Sequence, residues 1–147
     1  MEHFVRHTCR FYTLFTLFVV SVVMPQSAVA GEIALTFDDA PMGDSVIMTG
    51  AERAEKIISA LKFAKVPDAL FFVTTGHIRS PRDETRLSAY SEAGFHFGNH
   101  SHSHESVNAL GVAGYIADAT RAHRILKRFD NVLPYHRFPY LHHGRDK

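Results

Sequence analysis

The sequence predicts an α/β fold built on a parallel sheet, because short apolar segments alternate with amphipathic segments along residues 31–147. The apolar segments are typical of buried strands, and the amphipathic segments repeat their apolar residues at helical spacing. Clusters of polar residues also follow three of the apolar segments directly. Such an alternation builds either an open doubly wound sheet or a barrel, and the residues alone leave both open.

The first predicted strand and helix cover the start of this alternation. Residues 32–37 read Glu-Ile-Ala-Leu-Thr-Phe, a mostly apolar run that predicts a buried strand. Thr49 and Glu52 have the spacing of a capping box, which predicts a helix that begins there and ends at about Lys65. The apolar face of this helix is expected to consist of Ile57, Ile58, Leu61 and Ala64.

Two more strands are predicted on either side of a second helix. Residues 69–73 form an apolar run of strand length. Ser80 followed by Pro81 is typical of a helix start, and Gly94 is typical of a helix end. Residues 95–98 predict a third, short strand that leads into a group of histidines.

A third helix and a fourth strand complete the alternation. Apolar residues recur at spacings of four, three, four and three, which predicts a strongly amphipathic helix. Residues 136–138 predict the strand that follows it. The apolar face of the helix is formed by Tyr115, Ala119, Ala122, Leu126 and Phe129.

Residues 1–30 have the pattern of a signal peptide. Arg6 and Arg10 precede an apolar run over residues 11–24, and Ala-Val-Ala at residues 28–30 is a typical cleavage site. The apolar run is short for a membrane span, so no stable membrane anchor is expected. The sequence therefore predicts a bacterial protein that is exported to the periplasm or the exterior of the cell.

The composition of the remaining chain excludes some classes of protein. The only cysteine, Cys9, lies in the predicted signal peptide, so the chain from Gly31 onward depends on its core rather than on disulfides. Lys and Arg number 16 and Asp and Glu 15; two of these bases and one acid precede Gly31, which leaves 14 of each. A neutral chain of this size predicts one small domain without the basic surface of a nucleic-acid binder.

Polar residues follow three of the predicted strands at equivalent places. Asp38 and Asp39 come after the first strand, residues 100–104 after the third, and residues 139–140 after the fourth. Loops converge at the carboxyl ends of parallel strands, and α/β proteins build their sites there. These polar residues are therefore expected to meet in one site.

The residue types in these clusters indicate a divalent metal. Adjacent carboxylates such as Asp38 and Asp39 repel one another, and a cation or an arginine beside them keeps both ionised. His100 and His104 lie on one face if their segment is helical, whereas His102 points elsewhere. One carboxylate with two imidazoles leaves coordination positions free for water and substrate. The sequence therefore predicts a metal-dependent hydrolase.

Each cluster also has a simpler explanation. An Asp pair after a strand is often a turn or a helix cap, and a His-rich loop can be solvated or bind metal adventitiously. Arg137 alone is compatible with an ordinary salt bridge. The other histidines considered are expected to be structural, namely His77, His96, His123 and His136.

Three motifs together resemble the polysaccharide deacetylases of the NodB-homology family, the fourth family of carbohydrate esterases. The resemblance implies that the fold is the N-terminal portion of a distorted (β/α) barrel with parallel strands. It implies a NodB-like domain over residues 31–147 that is truncated at its C-terminus. The motifs are Thr36-Phe37-Asp38-Asp39, His100-Ser101-x-x-His104 and Arg137-x-Pro139-Tyr140.

The resemblance also implies a role for each site residue. Asp38 would be the general base, and Arg137 would hold and orient it. The backbone N–H of Tyr140 would stabilise the oxyanion that forms from the acetyl group. The metal is expected to be Zn²⁺, with Co²⁺ or Mn²⁺ as alternatives, and its ligands would be Asp39, His100 and His104.

The implied substrate is an N-acetylated carbohydrate such as a chitin-like or peptidoglycan-like glycan, from which the enzyme releases acetate. Alternatives are an O-acetyl xylan esterase, a small-molecule amidase of the same superfamily, or a non-catalytic fragment that retains metal and binds carbohydrate. The family places its general acid in a later Leu-x-His motif that this sequence lacks. His142 and His143 lie after the third motif and are not assigned that role. We expect the sequence to represent the N-terminal part of a family member.

Overall fold

A computed structural model describes residues 33–144 of the chain, in which three α-helices flank a four-stranded parallel sheet. The strands pair in chain order, each with its sequence neighbour. The predicted signal peptide lies outside the described residues. The strands are β1 (Thr36–Ala40), β2 (Leu70–Val73), β3 (His96–Asn99) and β4 (Val132–His136).

The helices begin largely where local capping signals predict. The capping box at the first helix is formed, since Glu52 N donates to Thr49 Oγ1 at 3.2 Å and Thr49 N donates to Glu52 Oε2 at 2.8 Å. Pro81 is the first residue of the second helix, as predicted. The helices are α1 (Gly50–Phe63), α2 (Pro81–Glu92) and α3 (Val107–Leu126), and two short 3₁₀ helices are η1 (Thr75–His77) and η2 (Pro139–Leu141).

The third helix begins earlier than its apolar repeat indicates. Ser106 caps α3 by accepting a hydrogen bond from Ala109 N at 3.2 Å. Gly111 then interrupts the helix with a left-handed φ of 69°, and the regular amphipathic part follows it. Phe129 lies beyond the end of α3 but still packs against the core.

Two strands are shifted from their predicted positions. The first was expected over residues 32–37, but β1 begins at Thr36 because its pairing partner, β2, begins opposite it at Leu70. The fourth was expected over residues 136–138, whereas β4 spans Val132–His136 and contains Pro134. Proline is tolerated there because, among the described strands, β4 has a neighbour on one side only.

The sheet is curled in the manner of a (β/α) barrel. At the usual strand spacing, β1 and β4 of a flat sheet would lie about 14 Å apart, farther than an arginine side chain reaches. Arg137, directly after β4, nevertheless contacts Asp38 of β1 at 2.7 Å. A doubly wound sheet reverses its strand order at a switch point, and these four strands do not. The described residues therefore form part of a (β/α) barrel, as the family resemblance implies.

The core lies between the sheet and the helices and is rich in aromatic residues. The ring of Phe71 stacks on Phe37 at 4.9 Å and on Tyr90 at 4.2 Å. The predicted apolar face of α1 packs here, except for Ala64, which caps the helix and is exposed. No helix in residues 33–144 combines the length and apolar character needed to cross a membrane.

Candidate metal centre

Three potential metal ligands converge at the carboxyl ends of β1 and β3. Asp39 Oδ1 lies 3.1 Å from His104 Nε2 and 3.9 Å from His100 Nε2. One potential ligand atom of each of the three residues lies within 4.8 Å of the corresponding atoms of the other two. Two ligands of a tetrahedral zinc ion lie about 3.4 Å apart at ordinary bond lengths. The three side chains therefore fit a single divalent ion.

Asp38 and Asp39 both face the site because β1 is irregular. Successive side chains of a regular strand point to opposite faces of the sheet. Asp39 has a left-handed φ of 67°, and the register between β1 and β2 shifts between Phe37 and Ala40. The irregularity turns the two neighbouring carboxylates to the same side, where they serve different partners.

Asp39 is held through its carboxylate by Thr74, which the sequence analysis did not identify, and through its backbone by His77. Thr74 Oγ1 donates to Asp39 Oδ1 at 3.2 Å. His77 Nδ1 lies 3.2 Å from the carbonyl oxygen of Asp39 and donates to it. His77 therefore supports the backbone of a candidate ligand residue, which agrees with the structural role expected for it.

His100 is oriented by a hydrogen bond on the far side of its ring. The residue is 2% exposed, and its Nδ1 donates to the carbonyl oxygen of Arg137 at 2.9 Å. A proton on Nδ1 leaves the lone pair of Nε2 directed at Asp39. Ligating histidines commonly use such a second hydrogen bond to fix their tautomer and orientation.

The segment that carries both candidate ligand histidines is a loop rather than a helix. Ser101 and His104 have left-handed φ values of 68° and 61°. The loop is closed by a hydrogen bond of 3.1 Å from His104 N to Ser101 Oγ. The rings of His100 and His104 lie 5.1 Å apart, so the loop achieves the proximity that helical spacing was expected to give.

His102 points away from the two ligand histidines, as predicted. Its Nδ1 bonds to Thr75 Oγ1 at 2.9 Å. Burial, together with the positive charge of Arg121, lowers the pKa of His102 and favours its neutral form. Its imidazole is therefore engaged with η1, and only His100 and His104 of this loop offer a nitrogen to the metal centre.

Asp38 is held by Arg137 on one oxygen only. Arg137 Nη1 donates to Asp38 Oδ1 at 2.7 Å and to Thr36 Oγ1 at 3.1 Å. The guanidinium lies 4.1 Å from the ring centre of Phe72, which fixes its plane. The second oxygen, Asp38 Oδ2, lies 4.0 Å from His100 Nε2 and faces the metal centre.

Tyr140 reaches the site through its side chain. Its hydroxyl oxygen lies 3.2 Å from His104 Nδ1, and the two rings are 4.7 Å apart. An Nδ1–H donated to this hydroxyl leaves His104 Nε2 free to bind a metal. The sequence analysis considered only the backbone N–H of Tyr140, whose role toward an oxyanion stays a prediction.

Two polar residues outside the predicted set hold the histidine loop. Asn99 Oδ1 accepts from Ser101 N at 2.8 Å, and Asp118 Oδ2 accepts from His102 N at 2.7 Å. A signal for Asp118 was present in the sequence, because it shares the helical face of Tyr115 and Ala122. A carboxylate on an otherwise buried face of an amphipathic helix usually has a specific partner.

Comparisons with known proteins agree on one family. A sequence model described as polysaccharide deacetylase matches residues 26–147. A search of curated proteins found no significant match.

Several solved structures resemble the chain. A family 4 carbohydrate esterase from Streptomyces lividans, solved with acetate, is 23% identical with a TM-score of 0.61, and the match covers 79% of this chain and 54% of that one. The peptidoglycan deacetylase PdaC from Bacillus subtilis is 27% identical with a TM-score of 0.59, over 77% of this chain and 50% of that one. A chitin deacetylase from Colletotrichum lindemuthianum is 26% identical with a TM-score of 0.59, over 74% and 46%.

The chain thus spans about half the length of these solved structures. The family match, by contrast, extends over most of the chain and includes all three motifs that form the site. The chain belongs to the polysaccharide deacetylase family.

Proposed function

We propose that this chain carries the metal centre and general base of a zinc-dependent hydrolase that removes acetyl groups from an N-acetylated glycan. The proposal depends on one observation, which is that three potential metal ligands and an arginine-bound carboxylate lie side by side at the carboxyl end of the sheet. Asp39, His100 and His104 supply one carboxylate and two imidazoles, and the Asp38–Arg137 pair lies beside them. The family and two of its solved members, a peptidoglycan deacetylase and a chitin deacetylase, support a chitin-like or peptidoglycan-like substrate.

The donor set suits Zn²⁺, and Co²⁺ or Mn²⁺ would fit the same ligands. When bound, such an ion polarises the acetyl carbonyl and makes a bound water more acidic. Asp38 would receive the proton at Oδ2, because Arg137 occupies Oδ1. The charge of Arg137 keeps the carboxylate oriented as the proton moves. The N–H of Tyr140 would donate to the oxygen that gains negative charge.

The same residues would act on an O-acetyl ester. An alkoxide leaves more readily than an amide anion, so an ester needs less help from a general acid. Acetate release from acetylated xylan, compared with release from N-acetylated chito-oligosaccharide, would distinguish the two substrates.

The proposed site of action is outside the cytoplasm. Residues 1–30 have the pattern of a signal peptide with a cleavage site before Gly31. The balance of acidic and basic residues offers no basic surface for nucleic acid. Export would bring the protein to cell-wall or extracellular glycans, which are the substrates proposed here.

The function is tested by separating metal binding from turnover at Asp38. Asp38→Asn keeps the size of the side chain but removes the base. In a protein extended to the full length of the family, we expect the variant to retain Zn²⁺ and to lose about 10²–10⁴-fold in acetate release from N-acetylated chito-oligosaccharide or peptidoglycan. Asp44→Asn is the matched control, since Asp44 caps Gly50 N outside the metal centre.

Three results would contradict this proposal. Acetate release by the protein that is unchanged after complete removal of metal would exclude metal-dependent hydrolysis. Near-normal turnover by Asp38→Asn would reject Asp38 as the base. Failure of a zinc-loaded protein that is extended to the full length of the family, with its Leu-x-His motif, to release acetate from any of the acetylated glycans would reject the proposed reaction.

A further inference from the structure

The loop that carries His100 and His104 is held from two sides. On one side, the N–H groups of Thr75 and Gly76 in η1 donate to the carbonyl oxygens of Ser101 and His102, at 3.2 and 2.9 Å. A side chain on Gly76 would collide with the carbonyl of His102, so only glycine permits this close approach. The carbonyl groups of the loop are thereby fixed.

On the other side, α3 fixes the N–H groups of the same loop. Asp118 Oδ2 accepts from His102 N at 2.7 Å and from Ser103 N at 3.1 Å, and Asp118 Oδ1 lies 3.2 Å from Ser103 N. Asn99 adds a bond from its side-chain amide to the carbonyl oxygen of Ala119, at 2.9 Å. A carboxylate that accepts two consecutive backbone N–H groups forms charge-assisted hydrogen bonds, which are stronger than neutral ones.

The two N–H groups bound by Asp118 lie between the two ligand histidines. The loop leaves β3 through Ser101 and reaches His104 with left-handed backbone at both residues. Residues other than glycine hold such conformations only where their surroundings determine them. Without Asp118, the N–H groups of His102 and Ser103 would turn to water, and His104 would lose its fixed position relative to His100.

We propose that Asp118 is a positioning residue for the metal centre, which it preorganises through the backbone of residues 101–104. This inference rests on the metal site of the proposed function. Asp118 is not itself a ligand in this arrangement, because both of its oxygens face backbone N–H groups of the loop. Its effect on the metal passes through the position of the His104 imidazole.

The test is a Co²⁺ titration of the full chain, followed by visible absorption. Asp118→Ala should bind Co²⁺ at least tenfold more weakly than the wild type, a typical cost of losing an outer partner of a metal ligand. Asp118→Asn keeps one oxygen acceptor, so its Co²⁺ affinity should lie between those of the wild type and Asp118→Ala. Thr120→Ala is the matched control on α3, because the Thr120 hydroxyl bonds only to the carbonyl of Ile116 in its own helix.

A second readout distinguishes positioning from a general loss of stability. The absorption bands of the Co²⁺-saturated protein should be altered in Asp118→Ala, because a loosened His104 changes the coordination geometry. Amide hydrogen exchange should show faster exchange at His102 and Ser103 in the variant, while the N–H groups of β2 and β3 stay protected. Purely structural destabilisation would leave the saturated spectrum unchanged.

The outcomes separate this inference from the proposed function. A wild-type chain that binds no Co²⁺ overturns the metal centre and the inference together. If the wild type binds Co²⁺ and Asp118→Ala has the same affinity and the same saturated spectrum, only the inference is overturned. If Asp118→Ala does not fold, Asp118→Asn decides, and wild-type affinity and spectrum in that variant overturn the role of Asp118.

Discussion

At the scale of single residues, backbone conformation determines which side chains meet at the proposed metal centre. Asp39, Ser101, His104 and Tyr140 all have left-handed backbone, and all four belong to or adjoin the centre. Each such residue costs on the order of 1–3 kcal/mol when it is not glycine. The surrounding hydrogen bonds offset this cost, as His77 does at the carbonyl of Asp39. Hydrogen bonds therefore hold these residues in strained backbone conformations, and those conformations bring the side chains of the site together.

The hydroxyl of Tyr140 provides a test of this geometry that leaves the backbone intact. Tyr140→Phe removes the hydrogen-bond partner of His104 Nδ1 and keeps the N–H proposed to bind the oxyanion. We expect Zn²⁺ affinity to fall by up to about tenfold, the lower end of the range for an outer partner of a ligand. Isothermal titration of zinc into the metal-free protein measures the change.

Tyr135→Phe is the matched control for Tyr140→Phe. Tyr135 is an exposed tyrosine of β4 that does not line the metal centre. The zinc affinity of the Tyr135→Phe variant should equal that of the wild type. An equal affinity for the wild type and Tyr140→Phe would show that the hydroxyl does not orient His104.

At the scale of secondary-structure elements, the sequence predicts boundaries that depend on neighbouring residues. It does not predict boundaries that depend on a pairing partner elsewhere in the chain. The start of α1 follows from Thr49 and Glu52, which lie within one turn of each other. The start of β1 depends instead on where β2 begins, which no residue near Thr36 encodes. Asp118 shows the same limit, because its place on the buried helical face indicates a partner but does not identify the backbone groups 15 and 16 residues away that it binds.

The N-terminus of α2 shows how a buried carboxylate stabilises one element. Burial of Asp83 opposes its ionisation, but hydrogen bonds from the Ser80 hydroxyl and the Arg79 N–H, with the charge of Arg86, outweigh it and lower the pKa of Asp83. Asp83→Asn should lower the free energy of unfolding at pH 7 by about 1 kcal/mol, as for a lost helix cap. Urea denaturation measures this difference.

The pH dependence of that difference has a definite sign. A pKa that is lower in the folded state gives stability that is present above the unfolded-state pKa, about 3.9 for aspartate, and is lost as pH falls through the folded-state value. The gap between wild type and Asp83→Asn should therefore shrink below about pH 4. Glu92→Gln, at the exposed end of the same helix, is the control and should show no such gap. A gap for Asp83→Asn that stays constant with pH would refute the assignment.

At the scale of the whole molecule, the described residues leave an apolar groove between α3 and β4. The groove has a volume of about 650 Å³, and Val112, Ile116 and Tyr135 on its walls are each more than half exposed. The outer edge of β4 has no partner among the described strands. Exposed apolar surface beside an unpaired strand edge promotes self-association.

We therefore expect the chain to associate as its concentration rises, and Ile116→Glu to reduce that association. A charge in the groove opposes burial of its walls against another molecule. Sedimentation velocity over a range of concentrations measures the effect. Phe63→Glu replaces a more exposed apolar residue at the end of α1, outside the groove, and should have less effect. A wild type that is monomeric throughout, or equal relief by both variants, would contradict the expectation.

The central claim is that the fold brings Asp39, His100 and His104 together as one metal centre while it directs His102 elsewhere. His100 and His102 lie in the same short segment, but His100 Nδ1 bonds to the carbonyl oxygen of Arg137 whereas His102 Nδ1 bonds to the hydroxyl of Thr75. The most direct measurement is the zinc affinity of His100→Ala and His102→Ala by competition with a chelator. The account predicts a loss of at least tenfold for His100→Ala, since two remaining ligands rarely hold a catalytic ion, and little change for His102→Ala. Retention of zinc by His100→Ala together with its loss from His102→Ala would contradict the account.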